Sequence, residues 1–283
     1  MSTPATANPA DWIGREEAAV DVIDPRPARL MQATLDLPIA AEPGAPLPPL
    51  WHWLYFPDQT PGKALGPDGH AARGGLVPPV TLPRRMWAGG RFTFTKPLQI
   101  GETVQRTSIV RDIAVKQGRS GDLCFVATRH DFHVNGERRF REEHTAVFRD
   151  HPAPDAAPPA PRPAPEHSDW QRRIEPGPVL LFRYSALTFN GHRIHYDLDY
   201  CRNVEGYPGL VVHGPLTATF LMDLLNEHVP GATIAELTIR AVSPLFDTAP
   251  FTIAGKRNGD DTVDLWACTP EGALALQATA TLA

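Results

Sequence analysis

Residues Phe182–Pro215 read FRYSALTFNGHRIHYDLDYCRNVEGYPGLVVHGP. The run from Val179 to Phe189 is apolar and strand-favouring, and the polar loop after it carries Asn190, His192 and His195. The stretch closes on His213-Gly214-Pro215, directly before LTATFLMDLLNEHV, where Leu216, Phe220, Leu221, Leu224 and Leu225 recur at helical spacing. Pro215 suits the first helical turn, where its missing N–H costs nothing. A loop bearing imidazoles is thus followed, about twenty residues on, by the N-terminus of a buried helix. That layout lets a side chain move a proton while the helix start steadies a developing negative charge.

Outward from this stretch, the second half continues with strand-like runs at 235–242, 251–256, 262–269 and 273–282, with turn signals at Ser243-Pro244 and Asn258-Gly259. The first half repeats the order of elements. A short strand near 18–23 precedes a helix over 27–35, and strands follow near 91–98, 103–115, 123–134 and 138–148. One early helix wrapped by an antiparallel meander is the hot-dog plan, and two copies make an α+β double hot-dog. Between them lies DHPAPDAAPPAPRPAP (150–165), with seven prolines, an extended spacer with nothing to bury. The expected division is 1–150, a linker over 151–177, and 178–283. A second proline-rich stretch, 38–49, reads as a long loop within the first half.

The bulk numbers narrow the function. A chain of 283 residues suits two domains, and 42% hydrophobic content supplies their cores. No apolar run is long enough to span a membrane. The N-terminus has neither a basic nor an apolar leader region, and the three cysteines are scattered, so a reducing cytoplasm is expected. A net charge of −5 offers no footprint for nucleic acid. GxSxG, GxGxxG, Walker and HExxH patterns are absent, and His130 and His133 have no third ligand near them, so neither a cofactor nor a metal is expected.

The segment 188–197, TFNGHRIHYD, resembles the loop of MaoC-like (R)-specific enoyl-CoA hydratases, and Val212-His213-Gly214 resembles that family's turn into its central helix. The form with "FNGHRIHYD" and "YPGLVVHGP" is most similar to a branch of 3-hydroxyacyl-thioester dehydratases and 3-methylfumaryl-CoA (mesaconyl-C4-CoA) hydratases. The resemblance implies that His195 is the catalytic acid/base. It puts Asn190 where the family has a catalytic Asp, and a carboxamide can orient water but has no usable pKa. It makes the Gly214 N–H the oxyanion donor, and Asp197 a cap for the short helix that follows. Arg240 falls where a similar segment lines the thioester channel.

Other positions carry two readings each. Arg193 either reaches a phosphate or substrate carboxylate, or is solvated. Arg84 and Arg85, beside Trp87 and the Gly89-Gly90 pair, either anchor CoA phosphates or an acyl carboxylate, or sit as solvated charges at the start of a strand. The first half has no pair like Asn190/His195, so it is expected to be non-catalytic and to shape the acyl tunnel. The expected activity is reversible hydration of a 2-enoyl-CoA thioester, with a short branched or dicarboxylic acyl group favoured. The alternatives are a hot-dog acyl-CoA thioesterase and a non-catalytic acyl-CoA-binding module. Acyl-CoA is the expected partner, and pairing of two chains as a homodimer suits the fold.

Overall fold

The computed structural model describes residues 8–118, 121–151 and 160–283. The N-terminal residues 1–7 and the linker residues 152–159 lie outside the described residues, and with them part of the leader and spacer readings.

After β1 (Glu16–Val22), the Asp24 carboxylate accepts the Arg26 N–H at 2.8 Å and prolines occupy the first turn, which starts α1 (Pro25–Thr34). Four long strands follow: β2 (Arg84–Phe94), β3 (Thr103–Gly118), β4 (Gly121–Val134) and β5 (Glu137–Arg149). The second half runs β6 (Trp170–Ile174), α2 (Pro178–Thr188), the single turn α3 (Leu198–Tyr200), α4 (Gly214–His228), then β7 (Ile234–Ala241), β8 (Phe251–Asn258), β9 (Thr262–Cys268) and β10 (Leu274–Leu282). All ten strands join one antiparallel sheet in the order β1-β3-β4-β5-β2-β7-β10-β9-β8-β6. The sheet of the second half, through β6, β8, β9 and β10, packs on α4, which buries Leu216, Leu221 and Leu224 completely. This is the double hot-dog.

The halves meet at β2 and β7, where Gly89 faces Arg240 and Thr93 faces Glu236. Gly89 has φ +128° at a bulge after Trp87, and a Cβ there would lie 2.0 Å from the Ile239 carbonyl oxygen. Only glycine fits that junction.

Two expectations need correction. The run 179–189 is a helix, not a strand. Gly177-Pro178 starts it, and its buried residues Leu181, Tyr184 and Ser185 have helical spacing. Val179 and Phe182 are apolar but exposed, so the stripe is hidden in the sequence. Phe189 ends the helix at φ +50°, and the next amide, Asn190, donates to the Ser185 carbonyl at 2.8 Å. The linker range 151–177 also contains β6, which pairs with β8. Just upstream, the Arg162 carbonyl accepts the Leu274 N–H at 2.8 Å. Among the described residues, no helix is long and apolar enough to cross a membrane.

Candidate active site

The turn after α2 and the N-terminus of α4 bring His195 and His213 face to face, with ring centroids 3.6 Å apart and planes 17° from parallel. His195 is buried and its Nδ1 donates to the Val211 carbonyl at 2.7 Å, which fixes the tautomer and leaves Nε2 without a partner among the described residues. Burial pushes its pKa down to about 4; the Val211 carbonyl opposes the shift and His70 adds to it. His213 shares a hydrogen bond between Nε2 and the Ser185 hydroxyl at 2.8 Å, and burial holds it well below the usual histidine range. Both rings are neutral at pH 7.

Asn190 lines a cavity of about 780 Å³ together with Ser185, Gly191, Tyr196, Pro215, Trp87, Arg85 and His70. Its Oδ1 accepts the His192 N–H at 3.0 Å, which leaves the NH₂ side for the cavity. Gly214 begins α4 with no side-chain cap, so its N–H is one of the orphan donors of a helix start. A Cβ on Gly214 would stand 2.6 Å from the Trp87 indole. The glycine therefore admits the indole against the helix start.

A loop of the first half completes the wall. Gly69 has φ +89°, and a Cβ there would fall 1.9 Å from the Gly191 carbonyl oxygen; the Arg193 N–H donates to the Asp68 carbonyl at 2.9 Å. This backbone seam sets His70 beside His192, with centroids 4.2 Å apart. His70 Nδ1 pairs with Asp68 Oδ2 at 3.1 Å. Burial would raise the Asp68 pKa, but the bonds from His70 hold it far below the usual carboxylate range. An ionised Asp68 only accepts, so the His70 proton sits on Nδ1 and Nε2 carries the free lone pair. Burial lowers the pKa of His70, with Asp68 opposing, and lowers His192 strongly. Asp68, His70 and His192 can each offer a ligand atom within 4.8 Å of the others. Of these three, Asp68 and His70 already satisfy one another.

The arginines separate by strand alternation. Arg85 faces the cavity, lies over the Phe148 ring at 5.9 Å and has no carboxylate partner among the described residues; burial lowers its pKa. Arg84, next along β2, points the other way, ion-paired with Glu205 at 2.7 Å and lying over Tyr207. Arg193 is held by Asp197 at 2.8 Å, by the Pro67 carbonyl and by the Tyr200 ring, outside the cavity lining. Arg240 is on the exposed side of β7. Asp197 caps α3 by accepting the Tyr200 N–H at 2.9 Å.

Sequence reading missed His70 and Asp68, whose loop lies far away in the chain, and the far end of the cavity. There Arg106 leaves its Nε unpartnered and lies over Phe56. Nearby, buried Glu142 accepts from Trp53 Nε1 at 3.2 Å and pairs with His52 Nε2 at 2.9 Å.

The family model for hydroxyacyl-thioester dehydratase type 2 matches residues 50–247. A mesaconyl-C(4)-CoA hydratase of Chloroflexus aurantiacus is 46% identical over 272 residues, 96% of each chain. The mitochondrial hydroxyacyl-thioester dehydratase type 2 of Schizosaccharomyces pombe is 27% identical over 245 residues, 77% of this chain and 80% of its own. Among solved structures, a MaoC-like dehydratase from Phytophthora capsici superposes with a TM-score of 0.73 at 16% identity over 97% of both chains. HtdX of Mycobacterium tuberculosis gives 0.65 at 19% identity over 94% of this chain and 99% of its own.

Proposed function

The chain belongs to the hydroxyacyl-thioester dehydratase type 2 family, and from that membership we infer that it is a hydro-lyase adding water reversibly across the α,β double bond of a 2-enoyl-CoA thioester. The observation that carries the site assignment is His195: one nitrogen fixed on a carbonyl, the other free, beside an unpartnered helix N-terminus. His195 Nε2 takes a proton from water as the water oxygen bonds to Cβ. The π electrons move onto the thioester oxygen, where the Gly214 N–H and the helix dipole stabilise the enolate. The imidazolium, formed in apolar surroundings, then gives its proton to Cα and the carbonyl re-forms. Asn190 holds the water through its NH₂.

The labour divides along the chain. Residues 178–283 carry the catalytic loop and α4, residues 1–150 enclose the acyl end, and 151–177 join them, ending in β6 on the second half's sheet. The three thiols Cys124, Cys201 and Cys268 are unpaired, which suits the reducing cytoplasm.

The acyl group is short and dicarboxylic, of the 3-methylfumaryl type. In such a thioester the carbon that receives water also bears a carboxylate, so a cation must stand close to the reaction. Arg85 is that group, since an unpaired buried carboxylate costs several kcal/mol. Hydration is followed as loss of enoyl-thioester absorbance with mesaconyl-C4-CoA and crotonyl-CoA. His195→Ala is expected to abolish turnover of both while thioester binding and fold persist; an undiminished rate overturns the assignment. Arg85→Ala is expected to cost roughly 100-fold in kcat/KM for the dicarboxylic substrate alone, as for a lost charged hydrogen bond. Equal use of crotonyl-CoA by the unaltered protein removes the dicarboxylate reading and leaves the hydratase.

A further inference from the structure

Where the family resemblance calls for a carboxylate, this chain has Asn190, whose side-chain oxygen is turned to the His192 N–H, leaving the NH₂ end for the cavity. The attacking water has two hydrogens. His195 Nε2 accepts one, and the NH₂ that Asn190 turns to the cavity is a donor and cannot accept the other. His70, brought in by the first half, lines the same cavity. We propose that His70, oriented by Asp68, accepts the second hydrogen of the attacking water and so does the positioning work of the missing carboxylate.

Three observations converge on this role. His70 lines the same cavity as Asn190, Ser185 and Pro215. Its Nδ1 is committed to an ionised Asp68, so Nε2 is the acceptor. The loop is placed by a seam that tolerates no side chain, Gly69 against the Gly191 carbonyl, and by the Arg193 N–H on the Asp68 carbonyl. In the step itself, one water proton goes to His195 Nε2 and the oxygen bonds to Cβ. The other hydrogen stays on that oxygen, hydrogen-bonded to His70 Nε2, and becomes the hydrogen of the product hydroxyl. His70 gains and loses nothing, and the proton on His195 passes to Cα. Two acceptors plus the Asn190 donor fix the water so that its remaining lone pair faces the double bond. The site is therefore composite, with Asp68 and His70 from one half and Asn190 and His195 from the other.

The proposal rests on the hydratase reading, and the experiment separates the two. Unaltered protein and His195→Ala, assayed with mesaconyl-C4-CoA, test the reading; without turnover by the unaltered protein, that reading fails before His70 is judged. His70→Phe keeps a ring against His192 and removes the acceptor. Its kcat is expected to fall about 100-fold with KM within about threefold, the loss that follows from misplacing a reactant. Adding Asn190→Asp to His70→Phe returns a carboxylate oxygen and is expected to raise kcat at least about 10-fold above the single variant, a rescue that a purely structural histidine would not show. Asp68→Asn, which keeps the loop and lets the imidazole turn its proton toward the cavity, should lower kcat in the same direction, and it stands in if His70→Phe does not fold. A kcat for the His70 or Asp68 variants within threefold of the unaltered protein overturns the proposal, as does a double variant no faster than His70→Phe. Activity lost to a chelator and restored by zinc ion also overturns it, by giving Asp68, His70 and His192 to a cation.

Discussion

Protonating His195 puts a charge in a buried place against the His213 ring, where no carboxylate among the described residues pairs with it, and this governs how the protein responds to acid. The folded pKa, about 4, lies below the unfolded value of about 6.5, so between these limits the unfolded chain binds more protons. Stability is therefore full above the unfolded pKa and is lost as pH falls from 6.5 toward 4. From pH 7 to pH 5 this one histidine should withdraw about 2 kcal/mol. His192 and His213 shift the same way. Denaturant unfolding at the two pH values should show the loss, and His195→Gln should lose less; an equal loss in both proteins counts against the assignment. The catalytic rate follows the same group. kcat/KM should stay level from pH 8 to about pH 5, and an acid limb centred on 6.5 would mean that the working base is another residue. Of the proposed site, the loop with Asn190 and His195 and the helix start at Gly214 stand out in the sequence, because one continuous segment, 182–215, carries both. Asp68 and His70 do not, since Gly-Pro-Asp-Gly-His reads as an ordinary turn until the fold docks it on Gly191.

At the scale of elements, the junction of β2 and β7 makes the sharpest demand on sequence. Gly89→Ala would force a Cβ to within 2.0 Å of the Ile239 carbonyl oxygen at φ +128°, so the strands must part. A loss of about 3 kcal/mol is expected, against about 1 kcal/mol for Gly259→Ala, whose φ is also positive but whose Cβ meets only open space. Similar losses from the two would mean that backbone conformation, not the junction, is what Gly89 supplies. The strands were readable from alternation and turn residues, as for β8 to β10, where Asn258-Gly259 marks the β8–β9 turn. The helix α2 was not, because its apolar residues surround it: Phe182 and Val179 face outward while Leu181 and Tyr184 face the core. Arg84 and Arg85 were grouped as neighbours in sequence, whereas a strand sends neighbours to opposite faces.

Over the whole molecule, one uninterrupted sheet and one large core join the halves, with Phe92 and Phe132 of the first half in the same cluster as Leu221 and Leu224 of the second. Thermal unfolding should therefore be a single transition, with near- and far-ultraviolet circular dichroism coincident; two separated transitions would show that the halves are held only loosely. The repeat of helix and meander was visible in the order of elements, but its merging into one sheet was not, since nothing local in β2 announces β7 as its neighbour. The seam between Gly69 and Gly191 bears on how such a protein can change over generations. Mutation acts through side chains, and this contact has none, so almost any replacement at either position is lost at once while the walls around it stay free to vary. Substrate preference can then drift through Arg85, Arg106 or Phe182 without moving the two parts of the reaction centre relative to each other. Chimaeras that join halves from divergent relatives should keep activity wherever both glycines are retained, whatever becomes of the proline-rich joint between them.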